Sequence, residues 1–193
     1  MEEFYTLQGE GYNTGQAAYF IRVGGCVVGC KWCDVKESWN AADFTPVPVD
    51  VVVGHAAAYP ARAIVVTGGE PLLYNMDYLC SELHVHGIRI FLETSGSQTL
   101  SGEWDWICLS PKRDAPPLKE VAMLANELKV IICDETDFHW AEENAQHVSP
   151  GCLLYMQPEW SRHEAMMPEI IRYIKANPQW KISLQSHKYM HIP

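Results

Sequence analysis

No apolar run in this chain approaches the roughly 18 uninterrupted residues that suggest a membrane span. The opening segment MEEFYTLQGEG is acidic and lacks the charged-then-apolar order of a secretory signal. Both absences point to the cytoplasm. Basic residues are also scarce, 14 against 24 acidic, and the formal charge is -10. A surface of that sign repels a phosphate backbone, which argues against nucleic acid and for a small-molecule or protein partner, with no membrane involved. There is no internal repeat, low-complexity tract or long linker, so the 193 residues, 48% of them hydrophobic, are expected to form one domain, 1–193.

The seven cysteines are an odd number in a chain without a signal, which favours reduced thiols over a disulfide framework. Cys80, Cys108, Cys133 and Cys152 are scattered through apolar segments, where cysteine behaves as a small hydrophobe. Cys26, Cys30 and Cys33 are different. They share one loop, GGCVVGCKWCD, in which Gly24, Gly25 and Gly29 let the backbone wrap closely around an object. A structural zinc site would need a fourth ligand, and the nearest histidine in sequence is His55. A cubane iron–sulfur cluster takes one thiolate per iron, so three cysteines would leave one iron open for another ligand.

Short apolar runs recur along the chain: AAYFIRV, AIVVTGG, IRIFLET, DWICLSP, ELKVIIC, CLLYMQP and WKISLQ. Most are strand-sized, and helical patterns lie between several of them, at Val49 to Ala58, Met76 to His86, Thr136 to Gln146 and Glu164 to Ala176. Alternation of this kind predicts a largely parallel sheet with right-handed crossovers. The length is below the roughly 250 residues of a full eight-unit barrel, so an incomplete, splayed (β/α) barrel of about six mainly parallel strands is expected. The segments CVVGCKWC, TGGEP, ETSG, SPK and QPEW each follow a strand pattern, and that edge of an α/β sheet carries active sites.

The spacing Cys-x3-Cys-x2-Cys, with Trp32 before the last cysteine and the Thr67-Gly68-Gly69-Glu70-Pro71 turn one βα unit later, resembles the radical S-adenosylmethionine (radical SAM) superfamily. Two glycines permit close backbone approach to a ligand, and an acid can pair with an ammonium. Further segments narrow the resemblance. Leu7-Gln8-Gly9-Glu10-Gly11, Glu93-Thr94-Ser95-Gly96, Ser110-Pro111-Lys112, Gln157-Pro158 and the terminal SLQSHKYMHIP are together similar to the 7-carboxy-7-deazaguanine synthase family, over essentially the whole chain.

That resemblance implies a lyase that converts 6-carboxy-5,6,7,8-tetrahydropterin into 7-carboxy-7-deazaguanine with loss of ammonia, for queuosine and related 7-deazapurines. It implies a [4Fe–4S] cluster on Cys26, Cys30 and Cys33, and S-adenosylmethionine held by Trp32, Asp34, Gly69, Glu70, Ser110, Pro111, Lys112 and the segment Gln157, Pro158, Glu159 and Trp160. The pterin falls to Leu7, Gln8, Gly9, Arg22, Thr67 and Pro193, with Glu10, Glu93, Gln185 and His187 as further polar candidates. Chemically, a carboxylate can accept the paired N–H donors of the amino-pyrimidinone edge, and the Arg22 guanidinium suits the substrate carboxylate. If Pro193 lies in the site, its α-carboxylate becomes a binding group. No residue pair stands out as acid and base.

The resemblance also implies a homodimer, a low-potential electron donor and a magnesium ion. Many family members carry threonine two positions after the last cluster cysteine as a magnesium ligand; here that residue is Val35, whose side chain has no oxygen. Magnesium therefore stays open. Two other functions compete: a radical-activating enzyme acting on a protein glycine, against which LQGEG and the SLQSHKYMHIP tail speak, and an electron-transfer protein, which would fill all four cluster positions with its own ligands.

Overall fold

A computed structural model describes residues 1–193. One sheet carries eight strands in sequence order: β1 (Glu2–Leu7), β2 (Ala17–Val23), β3 (Ala63–Gly68), β4 (Arg89–Thr94), β5 (Trp106–Leu109), β6 (Glu127–Ile132), β7 (Leu153–Pro158) and β8 (Trp180–Ile182). β1 is antiparallel to β2, and every later neighbouring pair is parallel. β1 and β8 do not meet, so the sheet is an open α/β layer. The open, mainly parallel architecture is as expected, but the strand count is eight where the length suggested about six. The length argument assumed a full helix in every unit. Here the β4–β5 connection has no helix, and β1 joins β2 through a turn-rich loop.

The helices are α1 (Val49–Ala57), α2 (Asp77–Val85), α3 (Lys119–Leu124), α4 (Thr136–Ala145), α5 (His163–Ala176) and α6 (Ser186–Met190). The four expected helices are present within a residue or so at each end. The short α3 and α6 carry too few turns for a periodic signal. No helix is long and apolar enough to cross a membrane.

Strand periodicity separates two faces. Tyr19, Ile21, Ile64, Val66 and Ile90 pack on Val53, Ala56, Leu79 and Leu83 of α1 and α2. Leu128, Val130, Ile132 and Met156 likewise cluster with Ala122, Ala141, Met166 and Ile170 of α3 to α5. The alternate residues form the other face. Its deeper part is apolar, with Ala18, Phe20, Val65 and Phe91 in one cluster and Phe4 stacked on Phe20 at 5.2 Å. Towards the far ends of the strands this face becomes polar, through Arg22, Thr67 and Glu93 on β2 to β4 and Lys129 and Gln157 on β6 and β7. The change lies towards the strands' C-terminal ends, where the loops that follow them converge.

Candidate active site

After β2, the cysteine loop folds back on itself. The Gly25 N–H donates to the Ser38 carbonyl at 2.6 Å, the Cys26 N–H to the Trp39 carbonyl at 3.1 Å and the Cys33 N–H to the Cys30 carbonyl at 3.1 Å. All three thiols are free and partly exposed, and they border one cavity of about 210 Å³. The three thiols line one space together, and a cubane, with one thiolate per iron, asks for three such donors around it. The triad fits a cluster in that sense. Burial pushes the Cys30 thiol above its ordinary range, and the nearby Lys112 ammonium opposes the shift.

The TGGE turn packs directly on this loop. The Gly69 N–H donates to the Val23 carbonyl at 2.9 Å and the Glu70 N–H to the Gly25 carbonyl at 2.8 Å. A Cβ on Gly68 would lie 2.4 Å from the Val23 oxygen, and one on Gly69 only 2.0 Å from the Gly25 oxygen. The glycines are thus demanded by the close approach of the chain to itself. Glu70 departs from its expected role as a partner for an ammonium. It is 1% exposed, and its carboxylate accepts hydrogen bonds from the Leu72 N–H at 3.2 Å, the Thr94 hydroxyl at 2.5 Å, the Ser95 N–H at 2.9 Å and the Ser95 hydroxyl. Those bonds consume its acceptor capacity in tying the turn to the ETSG segment.

Of the residues expected around adenosylmethionine, Trp32, Asp34, Gly69, Glu70, Ser110, Lys112, Gln157, Pro158, Glu159 and Trp160 border the same cavity as the thiols. Pro111 is buried outside its lining, so it shapes the segment without facing the space. Lys112 reaches back to the Ser110 hydroxyl at 2.7 Å and sits 5.3 Å from the Trp32 ring centre. Burial lowers the Lys112 pKa and the Lys129 charge adds to this, while negative charge on Cys30 as thiolate and on Glu70 opposes it.

A second cavity of about 180 Å³ adjoins the first, and Glu10, Cys33, Asp34, Thr67, Gly68 and Glu93 border both. Leu7, Gln8, Gly9, Arg22, His187 and Pro193 complete the expected pterin set around it, and Gln185 lies on the first cavity's side. Val35 also borders this second space, and its carbonyl receives the Ser38 N–H at 3.0 Å and the Ser38 hydroxyl at 2.6 Å. Arg22 is less free than its sequence position suggested. The β1–β2 register sets it opposite Glu2, with which it pairs, and it lies 5.0 Å over the Phe4 ring.

Lys129 went unrecognised in the sequence, because it sits in the apolar run ELKVIIC. Only 4% exposed, it donates to Glu10 Oε2 at 2.6 Å and to Glu93 Oε2 at 2.9 Å. The opposite oxygens of these acids receive glutamine amides: Gln185 Nε2 donates to Glu10 Oε1 at 3.0 Å and Gln8 Nε2 to Glu93 Oε1 at 3.2 Å. Burial would raise the Glu10 pKa, but the Lys129 charge and hydrogen bond, the Gln185 bond and nearby His187 bring it to about 2. Burial pushes the His187 imidazole down, with Glu10 opposing. A charged residue at even spacing from Glu127 on a strand, facing away from the helix-covered side, was the available signal.

An open parallel α/β sheet with a Cys-x3-Cys-x2-Cys loop after an early strand defines a radical SAM enzyme, and residues 20–130 match the Radical SAM superfamily. The chain is 54% identical over its whole length to the 7-carboxy-7-deazaguanine synthase of Flavobacterium psychrophilum, covering 91% of that relative. It is 47% identical to the one from Synechocystis sp., with 99% of this chain and 91% of that protein aligned. The crystal structure of QueE from Escherichia coli superposes with a TM-score of 0.80 at 30% identity, covering 96% of this chain and 92% of that one. The chain belongs to the 7-carboxy-7-deazaguanine synthase family.

Proposed function

We propose that this chain converts 6-carboxy-5,6,7,8-tetrahydropterin into 7-carboxy-7-deazaguanine by radical ring contraction with loss of ammonia, in the biosynthesis of queuosine and related 7-deazapurines. The observation that carries the reading is the common wall of the two cavities, with the cysteine triad on one and the LQG segment, Arg22 and Pro193 on the other. A [4Fe–4S] cluster on Cys26, Cys30 and Cys33 with S-adenosylmethionine supplies, when bound, a 5'-deoxyadenosyl radical.

The chain's own residues position and shield. Trp32, Asp34, Gly69, the segment Ser110 to Lys112 and the segment Gln157 to Trp160 surround the nucleoside and methionine moieties, and Glu70 keeps the Gly68-Gly69 backbone in place. Leu7, Gln8, Gly9, Thr67, His187 and Pro193 hold the heterocycle against the shared wall. Arg22 addresses the substrate carboxylate and exchanges its Glu2 partner to do so. Rearrangement takes place within the bound heterocycle, so the protein contributes orientation and exclusion of water more than proton transfer. Val35 offers no side-chain oxygen, and its carbonyl is already engaged by Ser38, so no step is assigned to magnesium. The family likeness adds a homodimer, a low-potential electron donor and a cytoplasmic setting to this reading.

The test is anaerobic incubation of the reconstituted protein with reductant, S-adenosylmethionine and the carboxytetrahydropterin, followed by mass spectrometry for carboxydeazaguanine. Cleavage of S-adenosylmethionine without that product would remove the pterin and keep the radical chemistry. A cluster spectrum indifferent to S-adenosylmethionine would return the chain to electron transfer.

A further inference from the structure

Lys129 lies at the centre of a row of polar side chains drawn from separate parts of the chain: Gln8 and Glu10 after β1, Glu93 on β4, Lys129 on β6 and Gln185 after β8. Each acid uses one oxygen on the ammonium and the other on a glutamine amide. A carboxylate has about four acceptor sites, so each keeps about two unspent. Both acids border both cavities, whereas Lys129 borders only the first. One cation against two anions leaves an excess negative charge at the shared wall, where the amino-pyrimidinone edge of a pterin would present N–H donors side by side.

We infer that Lys129 is a positioning residue for the pterin, fixing the carboxylates of Glu10 and Glu93 in the orientation in which together they receive the N–H edge of the heterocycle. The inference rests on the pterin reading given above. Its physical basis is geometric: the ammonium bonds both acids, whose side chains are about one-fifth exposed, so it offsets their mutual repulsion and holds one oxygen of each while leaving the remaining acceptor sites free. The other titratable groups facing Lys129 are Glu127 on its own strand, Cys108 on β5, Lys112 after β5 and His187 on α6. Glu127 turns its Oε2 to the Tyr12 N–H at 3.1 Å and the Trp106 indole at 3.1 Å, while its buried Oε1 has no hydrogen-bond partner. None of these groups lies hydrogen-bonded between the two acids.

The rival reading is that Lys129 merely offsets buried charge, and the two readings differ in pH behaviour. Replacing it by a chain of similar length and no charge, Lys129→Met, should raise the pterin KM by roughly tenfold or more at pH 7. It should also move the acid limb of the KM profile upward by about one pH unit or more. The change that S-adenosylmethionine produces in the cluster's electron paramagnetic resonance spectrum should persist. Lys129→Arg should bring the acid limb back towards its original position. A second arm needs no substitution: the unaltered protein should bind a pterin lacking the 2-amino group roughly tenfold or more weakly than the parent compound. An unmoved acid limb in a folded Lys129→Met protein, or equal affinity of the unaltered protein for the two pterins, overturns the inference. Failure of the unaltered protein to form carboxydeazaguanine would instead overturn the pterin reading itself.

Discussion

Ser186 donates to the Gly9 carbonyl twice, from its N–H at 2.9 Å and from its hydroxyl at 2.7 Å, and so joins positions 177 residues apart. Through this clasp the LQG segment and α6 become one wall of the second cavity, with His187 and Pro193 beyond it. Lys188 extends the tie to the cysteine loop, 3.2 Å from Asp34.

Removing Ile192 and Pro193 is therefore expected to impair pterin turnover and to leave the cluster in place. Steady-state kinetics of the shortened chain beside its cluster absorption spectrum would measure this; unchanged kinetics would refute a role for Pro193. Ser186→Ala, which keeps the backbone bond and loses the hydroxyl bond, is expected to have a milder effect, a few-fold increase in pterin KM.

Glu70→Gln tests the carboxylate beneath the Gly-Gly turn. An amide keeps the shape but offers one acceptor oxygen in place of two, and its NH2 would face donors at Ser95. The expected cost is about 1–3 kcal/mol of stability, read as a lower unfolding midpoint of the cluster-free protein. Cluster loading should fall as well, because the same turn hydrogen-bonds Val23 and Gly25 of the cysteine loop. Wild-type stability in the variant would show that Glu70 is not the anchor.

Magnesium provides a separate comparison. With no side-chain oxygen at Val35, product formation is expected to change less than about twofold between added Mg²⁺ and added chelator. Val35→Thr should acquire a dependence on the ion. Strong stimulation of the unaltered enzyme would show that valine is no obstacle and that other oxygens hold the ion.

The sign of the acid response follows from Glu10. Its pKa is about 2 in the folded chain, against an ordinary 4.5, so the folded state binds that proton less readily than the unfolded chain does. The resulting stabilisation is fully present above about pH 4.5 and disappears as pH falls through about 2. Denaturant unfolding of Glu10→Gln and the unaltered chain should differ most near neutrality, with the gap narrowing below about pH 4.5. A gap that stayed constant down to about pH 3 would mean that the Lys129 pair contributes nothing to stability.

Local patterning went far in this chain. The cysteine spacing, the strand-sized apolar runs and the four longer helices depend on residues near one another in sequence, and each could be read there. The segment EEFYTL was harder to recognise, since its two acids mask a strand that forms only by pairing against β2. Glu70 was legible as an acid after two glycines, but its partners Thr94 and Ser95 lie 24 and 25 residues on, and they convert an expected ligand group into an internal brace.

Residue order alone revealed the chemistry at hand: three thiols in one glycine-containing loop, and polar segments at strand ends. The tertiary structure decided which charges meet. Lys129 is, with Glu127, a charged residue in an otherwise apolar strand until the fold brings Glu10 from 119 positions away and Glu93 from 36. A buried ammonium is tolerated when paired carboxylates and hydrogen bonds offset its lost hydration. Those partners are a property of the folded sheet, which no window of the sequence contains.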